Sequence, residues 1–337
     1  MLPQDSRACH GYVNGIVLKL LKWSILMLNK MCIWQAVLNN YSIGDIASIN
    51  PISNSRNSLF NIITNNKCFI ARVSRIENKD NISHILPLQE YLFYKCAPVS
   101  RPMRRLDGGY ITYVSNANNL YYLSVEDFIL GKIPSVNIND FFIAGAYLAL
   151  FHEISNSYPN YSDIPHSNLD VLLFQPTTYI TDRVSSELAQ QVDNLCQQLG
   201  QILDSLKEQV SFGICHGDSH HYNMHLSNDK IVFFDLEDVK LSWRVYDIAT
   251  MIWGTFGQGG NGYIWNAVIQ GYNSVSLISD YEAQIIKYFV AIRQIWWLGL
   301  HACRWGDWII HKDEDEFFQR GVELFFYICR EGCGIAV

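Results

Sequence analysis

Charge is scarce in this sequence. Only 17% of the 337 residues are Asp, Glu, Lys or Arg, against about 25% in average soluble proteins. The 25 basic and 32 acidic residues give a net charge of −7 at pH 7, so the chain has no basic excess with which to bind a nucleic acid. Because 49% of the residues are hydrophobic and 13% aromatic, intrinsic disorder, coiled coils and fibrous repeats are excluded.

Paired cysteine motifs are also lacking. The nine cysteines are scattered along the chain, and no two of them are spaced as Cys-x-x-Cys. An odd number without such pairs indicates neither a disulfide framework nor a zinc ribbon. The composition therefore predicts reduced thiols in a cytoplasmic protein.

The N-terminal apolar stretch, residues 15–28, is too short and too interrupted for a membrane span, which takes about 20 apolar residues. It is broken by Lys19 and Lys22 and lacks the small-residue cleavage site of a signal peptide. Three interpretations remain open: an interfacial helix with a basic stripe, a helix packed on the first lobe, or an extension from an upstream start codon. No transmembrane helix is predicted.

The first third of the chain is rich in strand signals. Residues 59–64 and 68–73 predict the two strands of a hairpin. A short helix over residues 85–94 follows, with Pro87 in its first turn, and then a strand over residues 110–114.

Later segments have helical character. Residues 141–154 are apolar almost all round, residues 186–206 are amphipathic, and residues 281–301 predict another buried helix. We therefore expect an α+β fold with a helical extension at 1–40, a small β-rich lobe at 41–116 and a larger, mainly helical lobe at 117–337.

Residues able to perform chemistry concentrate between positions 215 and 247. Two short apolar runs, residues 224–226 and 231–234, flank a polar turn and predict a hairpin. If Leu226 faces Ile231 in this hairpin, residue 223 faces residue 234.

That register brings three oxygen-bearing side chains to one end of the hairpin. Asn223 and Asp235 then lie about 5–8 Å apart across the ladder, and Asp218 lies in the loop that leads into it. Two carboxylates and one amide oxygen are hard ligands that suit Mg²⁺ bound to nucleotide phosphates. An Asp facing an acceptor hydroxyl, with an Asn and a second Asp on the metal, is one arrangement of a phosphotransferase.

The motif His216-Gly217-Asp218, followed by Asn223 and then by Phe-Phe-Asp at 233–235, resembles the aminoglycoside phosphotransferase/choline kinase superfamily. Three further segments carry the same resemblance. They are Leu-Ala-Leu-Phe-His at 148–152, Tyr-Asp-Ile-Ala at 246–249 and Gly-Tyr at 271–272. The similarity extends over roughly residues 40–330. Within the superfamily, Phe-Asp-Leu-Glu-Asp at 234–238 and the segment at 293–301 resemble the homoserine-kinase-like and bacterial stress-response kinase branches more than the antibiotic kinases.

The resemblance implies a protein-kinase-like bilobal fold, ATP and Mg²⁺ as cofactors, and roles for particular residues. Asp218 would face the acceptor hydroxyl, with Asn223 and Asp235 on the metal. His216 and Asp247 would brace the loop by hydrogen bonds. In the first lobe, Arg72 would contact the α- and β-phosphates and pair with Glu90, Asn57 would lie in the preceding strand of the nucleotide site, and the base would lie near residues 112–116.

The acceptor implied by the resemblance is a hydroxyl group. It belongs to a small molecule (an amino alcohol, an aminoglycoside-like or a homoserine-like compound) or to a protein Ser or Thr. Glu237, Asp238 and Asp307 are candidates for contacting a cationic amine, and Trp296, Trp297, Trp305 and Trp308 either line the acceptor pocket or pack in the core.

Some positions depart from the family pattern. No Gly-x-Gly-x-x-Gly covers the phosphates, and residues 53–56 (Ser-Asn-Ser-Arg) stand in its place. Arg72 occupies the position where many kinases have Lys, and Tyr222 precedes Asn223 where a small residue is common, which predicts a narrower acceptor site.

Two alternatives to a kinase remain at this point. A pseudokinase would keep the fold and nucleotide site without turnover. A metal-dependent hydrolase would instead use the imidazole and carboxylate groups crowded into one stretch, which are His216, Asp218, His220, His221 and His225.

Overall fold

The structure is a computed structural model, and it describes residues 30–54, 57–76, 79–116, 119–205, 209–305 and 313–335. The apolar stretch at 15–28 lies outside these residues, as do Asp307 and Trp308. The chain divides into two compact units. The first runs up to Lys79 and includes Pro102–Phe128 and Thr255–Gly260, and the second holds Asp80–Arg101, Ile129–Gly254 and the chain from Asn261 onward.

The first unit is built on a five-stranded antiparallel sheet with the strand order β1-β2-β3-β5-β4. Its strands are β1 (Ile46–Asn54), β2 (Ser58–Thr64), β3 (Cys68–Arg75), β4 (Thr112–Asn116) and β5 (Asn119–Asp127). The hairpin predicted for residues 59–73 is confirmed as β2 and β3, in which Phe60 faces Ala71. The predicted strand at 110–114 is β4, shifted by two residues.

One face of this sheet forms a core because buried and partly exposed residues alternate along strands such as β2. In β2, Phe60 and Ile62 are buried while their neighbours are partly exposed, as the two-residue period of a strand requires. Helix α1 (Lys30–Asn40) packs on the same core through Ile33 and Val37, both fully buried.

Strand β5 was not predicted from the sequence. Its central residues, 121–125, are all buried, so the polar–apolar alternation that identifies a half-buried strand is missing. The predicted boundary between residues 116 and 117 falls between β4 and β5, which pair with each other in this sheet.

The second unit is mainly helical. Its helices are α2 (Lys79–Tyr94, which begins at the last residue of the first unit), α3 (Ile138–Ser155), α4 (Gln175–Thr181), α5 (Ser186–Asp204), α6 (Arg244–Trp253), α7 (Gly262–Asn273), α8 (Asp280–Cys303) and α9 (Glu314–Tyr327). The predicted helices at 141–154, 186–206 and 281–301 are confirmed as α3, α5 and α8. No helix in the described part of the chain combines the length and apolar character needed to cross a bilayer.

Two short two-stranded antiparallel sheets accompany these helices. Strand β6 (Phe212–Cys215) pairs with β9 (Lys240–Trp243), and β7 (Met224–Ser227) pairs with β8 (Lys230–Phe233). They carry the segment in which the candidate chemistry was predicted.

The start of α2 differs from the prediction. The helix begins at Lys79, so Pro87 lies in its interior and not in its first turn. Ile82, Ile85 and Leu92 are buried on one side, and this apolar stripe extends the helix toward its N-terminus. The burial of the stripe offsets the hydrogen bond that a proline inside a helix cannot donate.

Helices α3 and α7 lie in close backbone contact. A Cβ on Gly145 would come within 2.2 Å of the Val268 carbonyl oxygen, and one on Gly271 within 1.9 Å of the Phe142 carbonyl oxygen. Only glycine fits at such a distance. The Gly in the Gly-Tyr pair at 271–272 therefore brings α7 against α3, which places Tyr272 beside His152.

Candidate active site

The hairpin of β7 and β8 positions the oxygen-bearing residues. The predicted register is confirmed, since Leu226 faces Ile231. The turn residues Asn228 and Asp229 have φ of 49° and 57°, the conformation of a tight two-residue hairpin loop. Beyond the paired residues, the Phe234 N–H donates to the Asn223 carbonyl at 3.0 Å, so Asp235 follows directly opposite the end of the loop that carries Asn223.

The loop from His216 to Asn223, which we name the HGD loop, carries the Asp218 carboxylate. Asn223 Nδ2 donates to Asp218 Oδ2 and to the Asp218 carbonyl, both at 2.9 Å. His220 Nε2 lies 3.4 Å from the same Oδ2. The guanidinium of Arg293 in α8 donates to the other oxygen, Oδ1. The carboxylate is therefore held on both oxygens.

The surroundings of Asp218 keep it ionised. Burial by itself would raise the pKa of this carboxyl, but its interactions with the His220 imidazole and the Arg293 guanidinium outweigh burial and hold the pKa well below its usual range. A carboxylate with so low a pKa orients a hydroxyl proton better than it removes one.

His220 has its tautomer fixed by the backbone. Its Nδ1 accepts the Tyr222 N–H at 3.2 Å, which caps the short 3-10 turn His221–Asn223. The hydrogen then belongs on Nε2, where it faces Asp218. Tyr222 itself is exposed, with its ring 4.2 Å from that of His221.

Asp247, at the start of α6, anchors the first residues of the HGD loop. Its carboxylate accepts the backbone N–H of His216 at 2.6 Å and that of Gly217 at 2.8 Å. His216 spans the loop in turn, since its Nδ1 accepts the Asp218 N–H and its Nε2 lies 3.1 Å from the Phe234 carbonyl. These contacts agree with the bracing roles implied for His216 and Asp247.

The His152, Asp247 and Tyr272 side chains, which belong to three motifs far apart in sequence, form a hydrogen-bonded chain. His152 Nε2 lies 3.0 Å from Asp247 Oδ2, and His152 Nδ1 lies 2.9 Å from the Tyr272 hydroxyl. Burial lowers the pKa of His152, more than the neighbouring Asp247 raises it. For Asp247, burial raises the pKa, but the hydrogen bond from His152 contributes to a net lowering. A neutral imidazole thus links a phenol to an ionised carboxylate.

Gly217 allows the turn between His216 and Asp218. It has φ +81°, and a Cβ there would lie 2.0 Å from the Asp238 carbonyl oxygen. We expect Gly217→Ala to displace the HGD loop, because the strain of about 1–2 kcal/mol for a left-handed residue adds to a backbone clash. The unfolding temperature and kcat should both be lower than those of the wild type. Gly259→Ala, which has φ +87° but meets nothing within 4 Å, is the control for strain without the clash.

Asp235 has an uncommon backbone conformation. Its φ is 61° and its ψ is 57°, which place it in the left-handed region directly before the 3-10 turn Leu236–Asp238. Non-glycine residues held there often belong to functional sites. The conformation turns the chain at the end of β8, where Asn223 lies across the ladder.

In the first unit, two predicted nucleotide-site residues have defined neighbours. Arg72 Nη2 lies 3.6 Å from Glu126 Oε1 in β5, a partner that the sequence did not predict. Asn57 is buried and its Oδ1 accepts the Ser74 hydroxyl at 2.5 Å. Glu90 belongs to the second unit, and its pairing with Arg72 stays a prediction.

The hydrolase alternative has little geometric support. Among the described residues, only His152, Cys215 and Asp247 form a group of potential metal ligands within reach of one another. Their ligand atoms are already engaged, since Cys215 Sγ donates to backbone carbonyls and His152 and Asp247 bond as described. The five-residue cluster proposed from the sequence for this alternative is not brought together as a metal site.

Arg293 is the site residue that sequence reasoning missed. It is 2% exposed and lies in helix α8 between the apolar residues 289–292 and 295–298. Its guanidinium is 4.4 Å from the ring centroid of Trp296 and 5.1 Å from that of Trp253. An arginine flanked by apolar residues in a helix predicted to be buried was the available signal, because a buried arginine needs a partner.

The predicted tryptophans that the structure describes lie in two places, beside Arg293 and in the helix core. The Lys240 amine lies over the ring of Trp296, 5.4 Å from the ring centroid. Burial lowers the pKa of that amine, against the opposing effect of Asp238. Trp297 and Trp305 both pack on Phe317 in α9, so they contribute to helix packing as the core interpretation expected.

The Phosphotransferase enzyme family model matches residues 49–281, and the chain belongs to this family. The predicted α+β, protein-kinase-like fold is confirmed by the solved structures that the chain resembles. An amicoumacin kinase in complex with AMP-PNP, Ca²⁺ and Ami has a TM-score of 0.71 at 17% identity, covering 88% of this chain and 93% of that one. A microcompartment-associated aminopropanol kinase also has a TM-score of 0.71 at 20% identity, covering 89% and 95%. By sequence, the amicoumacin kinase of Bacillus subtilis (strain 168) is 20% identical over 250 residues, which are 70% of this chain and 69% of that protein.

Proposed function

We propose that this chain is an ATP- and Mg²⁺-dependent kinase that transfers the γ-phosphoryl group to a hydroxyl of a small molecule. The observation that carries the proposal is the Asp218 carboxylate, held on both oxygens by Asn223, His220 and Arg293. Such a carboxylate offers a fixed acceptor for the hydroxyl hydrogen of the attacking alcohol.

In this proposal the protein works mainly by positioning. Asp218 accepts a hydrogen bond from the acceptor hydroxyl and aims its oxygen at the γ-phosphorus. The oxygen–phosphorus bond forms as the bond to the ADP leaving group breaks, and the hydroxyl proton, which Asp218 orients through a hydrogen bond, is released to water. Asp247 and His216 keep the HGD loop in place, and Arg72 contributes positive charge toward the phosphates.

The residues present fit a divalent cation. Because Asn223 uses its Nδ2 to hold Asp218, its Oδ1 is the atom left for a metal. Asp235, in its left-handed conformation, supplies a carboxylate from the facing segment. An amide oxygen and a carboxylate, with nucleotide phosphates and water, form the ligand set that Mg²⁺ prefers. When bound, the ion would neutralise charge on the phosphates.

For the acceptor we propose an alcohol that also carries an amine. The kinases of amicoumacin and aminopropanol that the chain resembles support this class. A protein Ser or Thr is the second candidate acceptor, which a phosphorylation screen would include beside amino alcohols, aminoglycosides and homoserine.

Nucleotide binding is the first prediction to test. We expect ATP with Mg²⁺ to raise the unfolding temperature, since a ligand at about 100 times its Kd stabilises the folded state by roughly 2.7 kcal/mol. Asp235→Ala should lose the Mg²⁺-dependent part of the shift, whereas Asp193→Ala, on the exposed face of α5, should keep it.

Two other outcomes would contradict the proposal in different ways. No shift with ATP or GTP would exclude a nucleotide site. A normal shift without phosphoryl transfer to any acceptor in the screen would favour the pseudokinase alternative.

A further inference from the structure

We propose that Arg293 is a positioning residue, which sets the orientation of the Asp218 carboxylate from outside the HGD loop. This inference rests on the proposed function, because it concerns the residue that would face the acceptor hydroxyl. It begins from a direct contact: one amino group of the Arg293 guanidinium donates to Asp218 Oδ1.

The guanidinium is held firmly in place. Its other amino group lies 3.4 Å from both the Gly217 carbonyl and the Tyr246 hydroxyl. The rings of Trp253 and Trp296 lie against it at 5.1 and 4.4 Å. A planar cation that contacts aromatic rings and forms hydrogen bonds in its plane keeps little freedom to rotate.

The burial of Arg293 indicates that its contact with Asp218 is needed to keep the charge in the core. A fully buried arginine is costly unless it is paired, and among the described residues the ion pair formed by Arg293 is with Asp218. Arg293 lies in helix α8, 75 residues after Asp218 in the sequence. The pair therefore connects the HGD loop to a long helix whose position the loop itself does not determine.

The three side chains that contact the Asp218 carboxylate bind different oxygens of it. Asn223 and His220 hold Oδ2, and both belong to the HGD loop. Arg293 is the donor that reaches Oδ1. Among the residues that the structure describes, the contacts that remain without Arg293 are all on Oδ2. The carboxylate can then rotate about its Cβ–Cγ bond. A misplacement of about 1 Å at a reacting group can lower a rate by about 10²-fold.

The test compares Arg293→Met and Arg293→Lys with Arg183→Met. Arg183 is the matched control, because it also bonds one carboxylate, that of Glu314, and one backbone carbonyl, that of Ala302, but lies away from the HGD loop. We expect Arg293→Met to lower kcat by about 10²-fold with KM for ATP unchanged. Arg293→Lys should recover part of kcat, since it keeps the charge but not the planar fork. Arg183→Met should leave kcat unchanged.

A crystal structure of Arg293→Met gives a readout that does not depend on turnover. We expect Oδ1 of Asp218 to leave its wild-type position, or the Asp218 carboxylate to occupy several orientations. An unmoved carboxylate together with wild-type kcat would overturn the inference. If Arg293→Met does not fold, Arg293→Lys decides, and a wild-type kcat in that variant with Asp218 in its original place would overturn the inference too.

A failure of the proposed function would give a result different from a failure of the Arg293 inference. In that case the wild-type protein would transfer no phosphoryl group to any acceptor, while the rotation of Asp218 in the variant crystal would still be visible.

Discussion

Asp218→Asn is expected to abolish phosphoryl transfer while leaving Mg²⁺·ATP affinity unchanged. The substitution keeps the size of the side chain but removes the charge that attracts the acceptor hydroxyl hydrogen, and the loss of such a group lowers a rate by about 10²–10⁴-fold. Since Asn223 and Asp235 remain, the proposed metal ligands are intact. Turnover and calorimetric titration with Mg²⁺·ATP measure the two effects separately.

A loss of folding must be separated from a loss of chemistry in this experiment. Asp218→Asn leaves the buried Arg293 without its anion, and breaking a buried pair costs about 3–5 kcal/mol. The double variant Asp218→Asn/Arg293→Met removes both charges, so it should recover stability without recovering turnover. Near-normal kcat in either variant would exclude Asp218 as the residue that orients the hydroxyl.

The hairpin at the site shows what the sequence could predict. The apolar runs on either side of the polar turn predicted over residues 227–230 determined the register. The turn itself is tighter than predicted, because Ser227 pairs with Lys230 and only Asn228 and Asp229 remain unpaired, both with positive φ. Since strand pairing then follows residue by residue, the contact of Asn223 with Phe234, the neighbour of Asp235, was predictable from position alone.

Other contacts depend on packing and were not predictable in the same way. The His152, Asp247 and Tyr272 motifs were each recognised, but their hydrogen-bonded chain follows from the close approach of α3 and α7. No local pattern encodes the distance between two helices. The same reason explains why the pairing of Arg293 with Asp218 was missed.

Strand β5 illustrates a different limit. Its buried residues 121–125 give no two-residue alternation, so neither this strand nor the contact of its Glu126 with Arg72 could be derived. A fully buried strand resembles a short buried helix in sequence, and only pairing with β3 and β4 distinguishes the two.

Asp247→Asn is expected to cause a large loss of stability. The carboxylate is fully buried and accepts three hydrogen bonds, from His152 Nε2 and from the backbone N–H groups of His216 and Gly217. An amide has one acceptor oxygen, so its NH₂ group must face at least one of these donors. We expect the free energy of unfolding to fall by about 1–3 kcal/mol for each donor left without an acceptor, measured by urea denaturation, while the exposed Asp193→Asn should leave it unchanged.

The pH dependence of this difference provides a second check on the role of Asp247. Because its pKa is lowered in the folded protein, the carboxylate contributes stability above its unfolded pKa of about 3.9, and that contribution is lost as the pH falls through the folded value. The stability gap between wild type and Asp247→Asn should therefore be full at pH 7 and should narrow in acid. A gap that stays constant down to the acid limit of folding would mean that the ionised carboxylate does not hold the HGD loop.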